Sequence, residues 1–264
     1  MTNKQEQTTY NRSLSIQVRL DGLSFFTQNL DSNEILAAET MPFTHKVDAA
    51  GLLPKIQSIF EKHKALQHSF KEVNVIYVNA LFTLVPRALF KESALTDYLK
   101  FNTKILKTDF VTYDEIANQE LMNVYIPYAN VNNFFFEKFG SFRFYHAISK
   151  LIEKIGNQGA INPEGCLHIN IHSTSFELVI IQNKKLKLAN VFNYITKEDF
   201  IYYILFTIEQ LELDPEKLEV KISGAIDKND KRYTFLYKYI RNISISTPEH
   251  KKLGPEGLLL STLL

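Results

Sequence analysis

Residues 167–206 read LHINIHSTSFELVIIQNKKLKLANVFNYITKEDFIYYILF, and this stretch decides the fold. Apolar residues dominate two strand-like runs, 167–171 and 176–181, and a third run follows at 186–192 after a turn at 183–185. Alternation with a period of two is typical of β-strands. From Thr196 the apolar period changes to about 3.6, which predicts a helix over residues 197–211. The stretch therefore predicts a three-stranded meander followed by a helix.

The start of this helix carries a signal of its own. Thr196 can accept a hydrogen bond as the N-cap residue, and Asp199 stands three positions later. This is the spacing of a capping box, with aspartate in the place of the usual glutamate. We therefore predict that Thr196 caps the helix and that Asp199 accepts a hydrogen bond from the cap backbone.

The same meander occurs near the N-terminus. Three apolar residues there match three in the second meander at a constant offset of 153 positions: Leu14, Ile16 and Val18 against Leu167, Ile169 and Ile171. Asp21-Gly22 then stands where Thr174-Ser175 stands, and is a hairpin signal because glycine accepts a positive φ at little cost. Strand-like runs at 23–30 and 35–43 and a helix over 52–66, with Pro54 in its first turn, complete a second copy of the unit.

The element order gives the fold class. Residues 218–223, 233–240 and 243–246 predict a strand, a helix and a strand, so the second unit has the order β-β-β-α-β-α-β. The first unit has the same order with an insertion at about residues 80–119. Two such lobes in tandem, each built on a mixed sheet, are the pattern of the actin-like (ribonuclease-H-like) α/β fold, which sugar kinases and heat-shock ATPases share.

Glycine, asparagine and proline punctuate the chain at residues 156–165, GNQGAINPEG, which predicts a linker. We place a disordered tail at 1–12, the first actin-like lobe at 13–155, the linker at 156–166, the second lobe at 167–248 and a C-terminal tail at 249–264. The tail ends in LLLSTLL, and we expect it to dock on the body of its own chain, because exposed leucine clusters reduce solubility.

Composition excludes several classes of protein. The chain has 264 residues, of which 45% are apolar, and a net charge of +1, so no overall charge favours nucleic acid or a membrane surface. The single cysteine, Cys166, excludes an intramolecular disulfide and fits a reducing compartment. We interpret it as an inert thiol at the start of a buried strand. No signal peptide and no apolar run long enough to span a membrane is visible, so we expect a cytoplasmic protein.

Several stretches resemble one family, the family of unknown function numbered 3822 from Bacteroidetes-type bacteria. They are NVFNYITKEDFIYY at 190–203, EQL at 209–211, DP at 214–215, SG at 223–224, YKYI at 237–240, LVP at 84–86, LF at 89–90 and YLKFN at 98–102. The resemblance extends over about residues 14–245 and implies an actin-like ATPase fold. It implies no activity, because none is established for that family.

An actin-like nucleotide site needs glycines, so that backbone N–H groups approach the phosphates, and carboxylates that hold Mg²⁺ through its waters. The candidate residues for such an interlobe ligand site are Asp21, Gly22, Ser173, Thr174, Ser175 and Gly224. The Asp-Gly pair departs from the Asp-x-Gly spacing and also fits a plain hairpin turn. The second hairpin has neither glycine nor aspartate, and the late turn keeps one glycine of two. This pattern indicates an eroded nucleotide site.

No catalytic residue and no metal ligand is assigned. A nuclease of the ribonuclease-H type would need several clustered acids, and only Asp21 stands near the right strand. His168 and His172 share one face of a strand but lie about 13 Å apart along it, too far to chelate one metal.

Aromatic residues crowd residues 134–145, and three consecutive phenylalanines on a helix cannot all face one core. Either an inserted segment covers the outer face of this helix, or the face is a partner surface, for which the candidates are Phe134, Phe135, Phe136 and Phe139. We expect a non-catalytic binding or scaffold protein without a cofactor, whose partner is a protein or a second copy of this chain, and no nucleic acid. The alternative is a divergent ATPase or kinase that uses Mg-ATP.

Overall fold

The computed structural model describes residues 11–158, 162–246 and 250–264. Its contacts divide the chain into two compact units. The first extends to Glu115 and includes 121–147 and 263–264, while the second comprises 116–120 and 148–262. The domain limits predicted from the sequence remain a prediction, since units defined by contacts need not be continuous along the chain. The predicted tail 1–12 lies outside the described residues except for Asn11 and Arg12, and Arg12 already begins a strand.

The first unit is built on a five-stranded sheet of order β3-β2-β1-β4-β8. Between β4 and the last strand, the chain forms a small three-stranded sheet of order β5-β7-β6. The strands are β1 (Arg12–Arg19), β2 (Gly22–Asn29), β3 (Ile35–Pro42), β4 (Glu72–Tyr77), β5 (Phe82–Pro86), β6 (Thr112–Ile116), β7 (Leu121–Tyr125) and β8 (Arg143–His146), with helices α1 (Ala49–Lys62), α2 (Leu95–Leu99) and α3 (Ala129–Phe139).

The second unit is built on a five-stranded sheet of order β11-β10-β9-β12-β13. Its central strand β9 pairs antiparallel with β10 and parallel with β12. The elements are α4 (Ala147–Gln158), β9 (Cys166–Ile171), β10 (Ser175–Gln182), β11 (Lys185–Asn193), α5 (Lys197–Gln210), β12 (Glu219–Gly224), α6 (Lys231–Leu236) and β13 (Asn242–Ile245).

The two sheets repeat each other in order, direction and register. Ile16 pairs with Phe25 across β1 and β2, and Ile169 pairs with Leu178 across β9 and β10, so both partners are shifted by the same 153 positions. The register irregularity in the meander falls between Thr27 and Gln28 in one sheet and between Ile180 and Ile181 in the other, again at that offset. The predicted α/β class, with two units that are each built on a mixed sheet, is confirmed.

Each sheet packs one face on helices through its alternating apolar residues. Leu14, Ile16 and Val18 are fully buried beside α1 and α3 in the first unit. Leu167, Ile169 and Ile171 occupy the same places beside α5 in the second. The intervening residues of β1 and β9 lie on the other face, and several of them are buried polar side chains, which places polar chemistry inside each unit.

Helix α1 begins three residues before the predicted start. The Asp48 side chain accepts a hydrogen bond from Gly51 N at 2.8 Å and caps the helix, which the apolar pattern alone did not indicate. Pro54 therefore lies in the second turn rather than in the first. The helix ends at Lys62, and a short 3-10 turn continues to Leu66.

The C-terminal segment packs on its own chain. Leu253, Leu259 and Leu260 are buried, and Lys154 Nζ of α4 donates a hydrogen bond to Ser261 Oγ at 2.8 Å. The expected docking of this tail is thus found for residues 250–262 of the second unit. Within the described ranges, no helix combines the length and the apolar character needed to cross a bilayer.

The predicted capping box at α5 is confirmed. Asp199 N donates to Thr196 Oγ1 at 3.1 Å, and Asp199 Oδ2 accepts from Thr196 N at 2.9 Å. Hydrogen bonds from the backbone of Thr196 and then of Ile195 hold the pKa of Asp199 below its ordinary value.

Replacing Thr196 by alanine should lower the free energy of unfolding by about 1 kcal/mol, because a donor of the first helical turn loses its partner. Chemical denaturation measures the change. Thr234→Ala is the matched control, since its hydroxyl donates to the carbonyl of Asp230, the residue before α6, and caps no N–H group. A Thr196→Ala variant as stable as the parent would contradict the cap.

The contribution of Asp199 to the free energy of unfolding should be present above the unfolded pKa of 3.8 and disappear as the pH falls through the lower folded pKa.

Candidate functional site

The first hairpin ends in a buried ion pair. β1 and β2 are joined by the two-residue turn Leu20-Asp21, and Arg19 pairs with Gly22 across it. Arg19 Nε donates to Asp21 Oδ1 at 2.9 Å, and the two side chains are only 2% and 3% exposed. The Asp21 carboxylate, which the sequence offered as a ligand for phosphate-bound metal, is therefore engaged by its own chain.

Gly22 is required for a reason other than the predicted one. Its φ is not positive. A Cβ built on it would lie 2.9 Å from Arg19 Nη2 and 2.9 Å from Met41 O. The lack of a side chain at Gly22 thus allows the Arg19 guanidinium and strand β3 to approach closely. Their atoms occupy the space that a Cβ would need.

Buried polar groups continue from the ion pair into the first unit. Burial raises the pKa of Tyr128, and the neighbouring Asp21 carboxylate raises it further. His146 Nε2 lies 3.1 Å from Asn79 O, and complete burial lowers the pKa of His146 to about 3. A histidine with such a pKa is neutral at pH 7 and supplies no cation for an anionic ligand.

The second hairpin turns at Ser173-Thr174. His172 N donates to Ser175 O at 2.9 Å, and Tyr194 N donates to Thr174 O at 3.0 Å. Ser173 is exposed, Thr174 is half-buried and Ser175 is buried at the start of β10. The carbonyls of Thr174 and Ser175 are thus committed to the fold.

Beside this turn lies a buried polar network. His172 Nε2 is 3.0 Å from Glu177 Oε2, and both side chains are fully buried. Asn170 Nδ2 donates to Glu177 Oε2 at 2.8 Å, and Ser223 Oγ of β12 donates to Asn170 Oδ1 at 2.9 Å. The network links β9, β10 and β12, and it satisfies the Glu177 carboxylate from two sides.

Two further segments of the second unit close over His172. Its Nδ1 lies 3.7 Å from Glu256 Oε2 on the C-terminal segment, and its carbonyl accepts a hydrogen bond from the Tyr194 hydroxyl. Arg232 in turn donates to the Tyr194 oxygen and to Asp230. The hydrogen bonds from Arg232 hold the pKa of Asp230 below its ordinary range.

The two hairpins carry different chemistry at equivalent places. The offset of 153 positions pairs Arg19 with His172, and each is a buried basic side chain that meets a carboxylate. In the first unit the acid is Asp21 of the turn, whereas in the second unit it is Glu177 of the opposite strand. Each hairpin is therefore closed by an internal pair between a basic and an acidic side chain.

Gly224 stands at the end of β12, directly beside the end of β9. It has a φ of +97°, and a Cβ on it would lie 2.0 Å from Ile171 O. Ala225 N donates to that same oxygen at 2.9 Å. The structure thus brings Gly224 close to the second hairpin, and the glycine serves the contact between two strands.

Cys166 and His168 form a pair that lacks the properties of an activated nucleophile. Cys166 Sγ lies 3.3 Å from His168 Nε2. Burial raises the pKa of the Cys166 thiol to about 12 and lowers the pKa of His168 to about 4, so at pH 7 both are neutral. Among residues 11–158, 162–246 and 250–264, no three His, Cys, Asp or Glu side chains form a group that could hold a metal ion.

The proposed aromatic surface on α3 needs correction. Phe135 is fully buried in the core of the first unit, and Phe134 and Phe139 are half-buried against the same core. Phe136 alone of the four is exposed, with 65% of its surface accessible. The helix turns by about 100° per residue, so consecutive phenylalanines must diverge, and most of the cluster faces inward.

Sequence reasoning missed both buried pairs. The signal was present as polar residues at alternating positions along otherwise apolar stretches: Gln17 and Arg19 in β1, Asn170 in β9 and His172 directly after it. On a strand with one solvated face this alternation predicts exposed side chains. Here both faces are covered, and all four residues are at most 2% exposed.

Comparisons with known proteins agree with the fold. The sequence model of the family described as "Protein of unknown function (DUF3822)" matches residues 2–243. A Bacteroides thetaiotaomicron protein with an actin-like ATPase fold and unknown function is similar at 21% identity and a TM-score of 0.84, over 100% of this chain and 98% of that one. The PilM–PilN type IV pilus biogenesis complex is similar at 11% identity and a TM-score of 0.60, over 96% and 98%. No curated protein matches the chain.

Breaking the Arg19–Asp21 pair should destabilise the first unit. Arg19→Met or Asp21→Asn alone should each cost about 3–5 kcal/mol, because the remaining charge is buried without its partner. The double variant should cost about 1–3 kcal/mol less than the sum of the two single variants. Urea denaturation of the four proteins measures this coupling, and strictly additive losses would show that the pair contributes nothing as a pair.

Gly224→Ala should destabilise the second unit beyond the cost of its backbone strain. Gly165→Ala is the control, since Gly165 has a φ of +85° but its nearest heavy atom would be 3.6 Å from a Cβ. The control should lose about 1–3 kcal/mol, and Gly224→Ala should lose about 1–3 kcal/mol more, because the new Cβ collides with the Ile171 carbonyl. Equal midpoints for the two variants in thermal unfolding would contradict the close approach.

Proposed function

The chain belongs to this family of unknown function, and we propose that it is a non-catalytic binding or scaffold protein of actin-like fold. In this proposal its nucleotide site is eroded, as the chemistry of its two hairpins indicates. Its expected location is the cytoplasm, and its expected partner is a protein or a second copy of this chain. We assign it no cofactor and no nucleic acid.

The observation that carries the proposal is the buried Arg19–Asp21 pair. A carboxylate that orients the waters of Mg²⁺ must face the ligand with its oxygens available. Asp21 is 3% exposed, and one of its oxygens accepts from Arg19 at 2.9 Å. Recruiting Asp21 to a metal would separate a buried ion pair, which is strongly unfavourable.

The second hairpin supports the same conclusion. Phosphate loops use glycine because backbone N–H groups must approach the phosphate oxygens closely. Ser173, Thr174 and Ser175 all carry a Cβ, and the nearest acid, Glu177, is held by His172 and Asn170. Neither hairpin therefore offers a glycine and an available acid together.

Exposed aromatic side chains support a protein partner. Phe136 on α3 is 65% exposed in the first unit. Tyr202 and Phe206 on α5 are 59% and 45% exposed in the second, and their rings stack with centroids 5.7 Å apart. Aromatic side chains dominate the binding energy of many interfaces. The similar PilM–PilN structure is itself a complex of two proteins, and we extend that mode of action to this chain as part of the proposal.

Isothermal titration with Mg-ATP tests the proposal. Loss of several charge-assisted hydrogen bonds, at roughly 1.5–3 kcal/mol each, should leave a Kd in the millimolar range or weaker. Phosphate release from ATP should equal that of a buffer blank.

The titration is repeated with Asp21→Ala and with Glu137→Ala, an exposed acid on α3 that serves as the control. A low-micromolar Kd for the parent that Asp21→Ala weakens and Glu137→Ala leaves unchanged would overturn the proposal in favour of the ATPase or kinase alternative. Circular dichroism of both variants confirms that they remain folded.

A further inference from the structure

The second unit contains a cavity of about 420 Å³ beyond the ends of β12 and β13. This volume falls within the range of small-molecule sites. Its lining includes Gly224, Ile226, Lys228, Ile245, Lys251 and Pro255. The cavity therefore lies between the two parallel strand ends and the C-terminal segment of the same unit.

The walls of this cavity are held firmly. Gly224, with its φ of +97°, turns the chain sharply away from β12, and Ile226 N donates back to Gly224 O at 2.8 Å. Ser246 N donates to Ile222 O at 2.7 Å and fixes the end of β13. Opposite them, the C-terminal segment is anchored by its buried leucines and by the Lys154–Ser261 hydrogen bond.

The chemistry of the lining is divided between apolar and cationic groups. Ile226, Ile245 and Pro255 give it a mainly apolar surface. Lys228 and Lys251 are exposed lysines of the same lining, and neither takes part in an ion pair within the part of the chain that the structure describes. Asp227, an acid of the lining, accepts a hydrogen bond from Asn229 N at 2.6 Å and caps its own turn.

We propose that this cavity binds a small organic carboxylate with an apolar body, of the medium-chain aliphatic or single-ring aromatic class. The apolar walls take the body of the ligand, and the two lysines take the carboxylate through charge-assisted hydrogen bonds. The cavity shares Gly224 with the candidate ligand site, but the inference requires neither ATP nor a protein partner, so it can fail while the proposed function stands.

Octanoate is the probe, and isothermal titration with the full chain is the measurement. Octanoate should bind at one site, and the neutral isostere octanol should bind at least about tenfold more weakly, because it cannot pair with a lysine. Equal affinity for octanoate and octanol, or no saturable binding of octanoate, would overturn the proposal.

Variants locate the site. Lys228→Gln combined with Lys251→Gln should weaken octanoate binding about tenfold or more and leave octanol binding unchanged. Lys185→Gln combined with Lys187→Gln, on the β11 hairpin, removes the same charge elsewhere and should leave octanoate binding at the parental level. Equal weakening by both pairs would show a general charge effect and overturn the assignment.

Competition separates this inference from the nucleotide alternative. One equivalent of octanoate should remain bound in the presence of millimolar Mg-ATP. Displacement of octanoate by micromolar Mg-ATP would show that the cavity is a nucleotide site and would overturn the inference. Failure of octanoate to bind, with no ATP binding either, would overturn this inference alone and leave the proposed function intact.

Discussion

The central strand of each sheet is buried on both faces, and the structure depends on this constraint. A polar side chain placed there cannot reach water, so it must find its partner inside the chain or destabilise the fold. Arg19 finds Asp21 at the tip of its own hairpin, and His172 finds Glu177 on the neighbouring strand. The fold is thus tied to two buried pairs that stand at equivalent points of two repeated units.

The repeat preserves geometry and lets chemistry diverge. Sheet order, strand register and even the bulge in the meander recur at one offset, because each is set by backbone pairing and by the apolar face toward the helices. The other face of each sheet need not be apolar, but its buried polar groups need hydrogen-bond partners within the chain. Arginine with aspartate in one unit and histidine with glutamate and asparagine in the other are two solutions to that same requirement.

The Arg19–Asp21 pair bears on function. An acid that already neutralises a buried cation is poorly placed to hold a metal through water, since freeing it leaves a buried charge uncompensated. Gly22 at the first hairpin and Gly224 at the end of β12 also have structural roles, because each lets a neighbouring part of the chain approach within contact distance. Residues that a nucleotide site would use are therefore engaged in the fold, whereas a mainly apolar cavity with two lysines remains open beside them.

Local patterns in the sequence determined a good part of this protein. The alternation of Leu14, Ile16 and Val18 and its repeat predicted the strands and the two-unit architecture, because the side-chain period follows directly from backbone geometry. The box at Thr196 was predictable because cap and acceptor lie within one helical turn.

Only the tertiary structure decided which polar groups meet, since Ser223 and Asn170 are 53 positions apart and no local period joins them. It also decided that Phe135 faces the core while Phe136 faces solvent, and that a cavity forms where the C-terminal segment meets the strand ends. The physical reason is that burial and pairing depend on what covers a surface, and the covering segments come from distant parts of the chain.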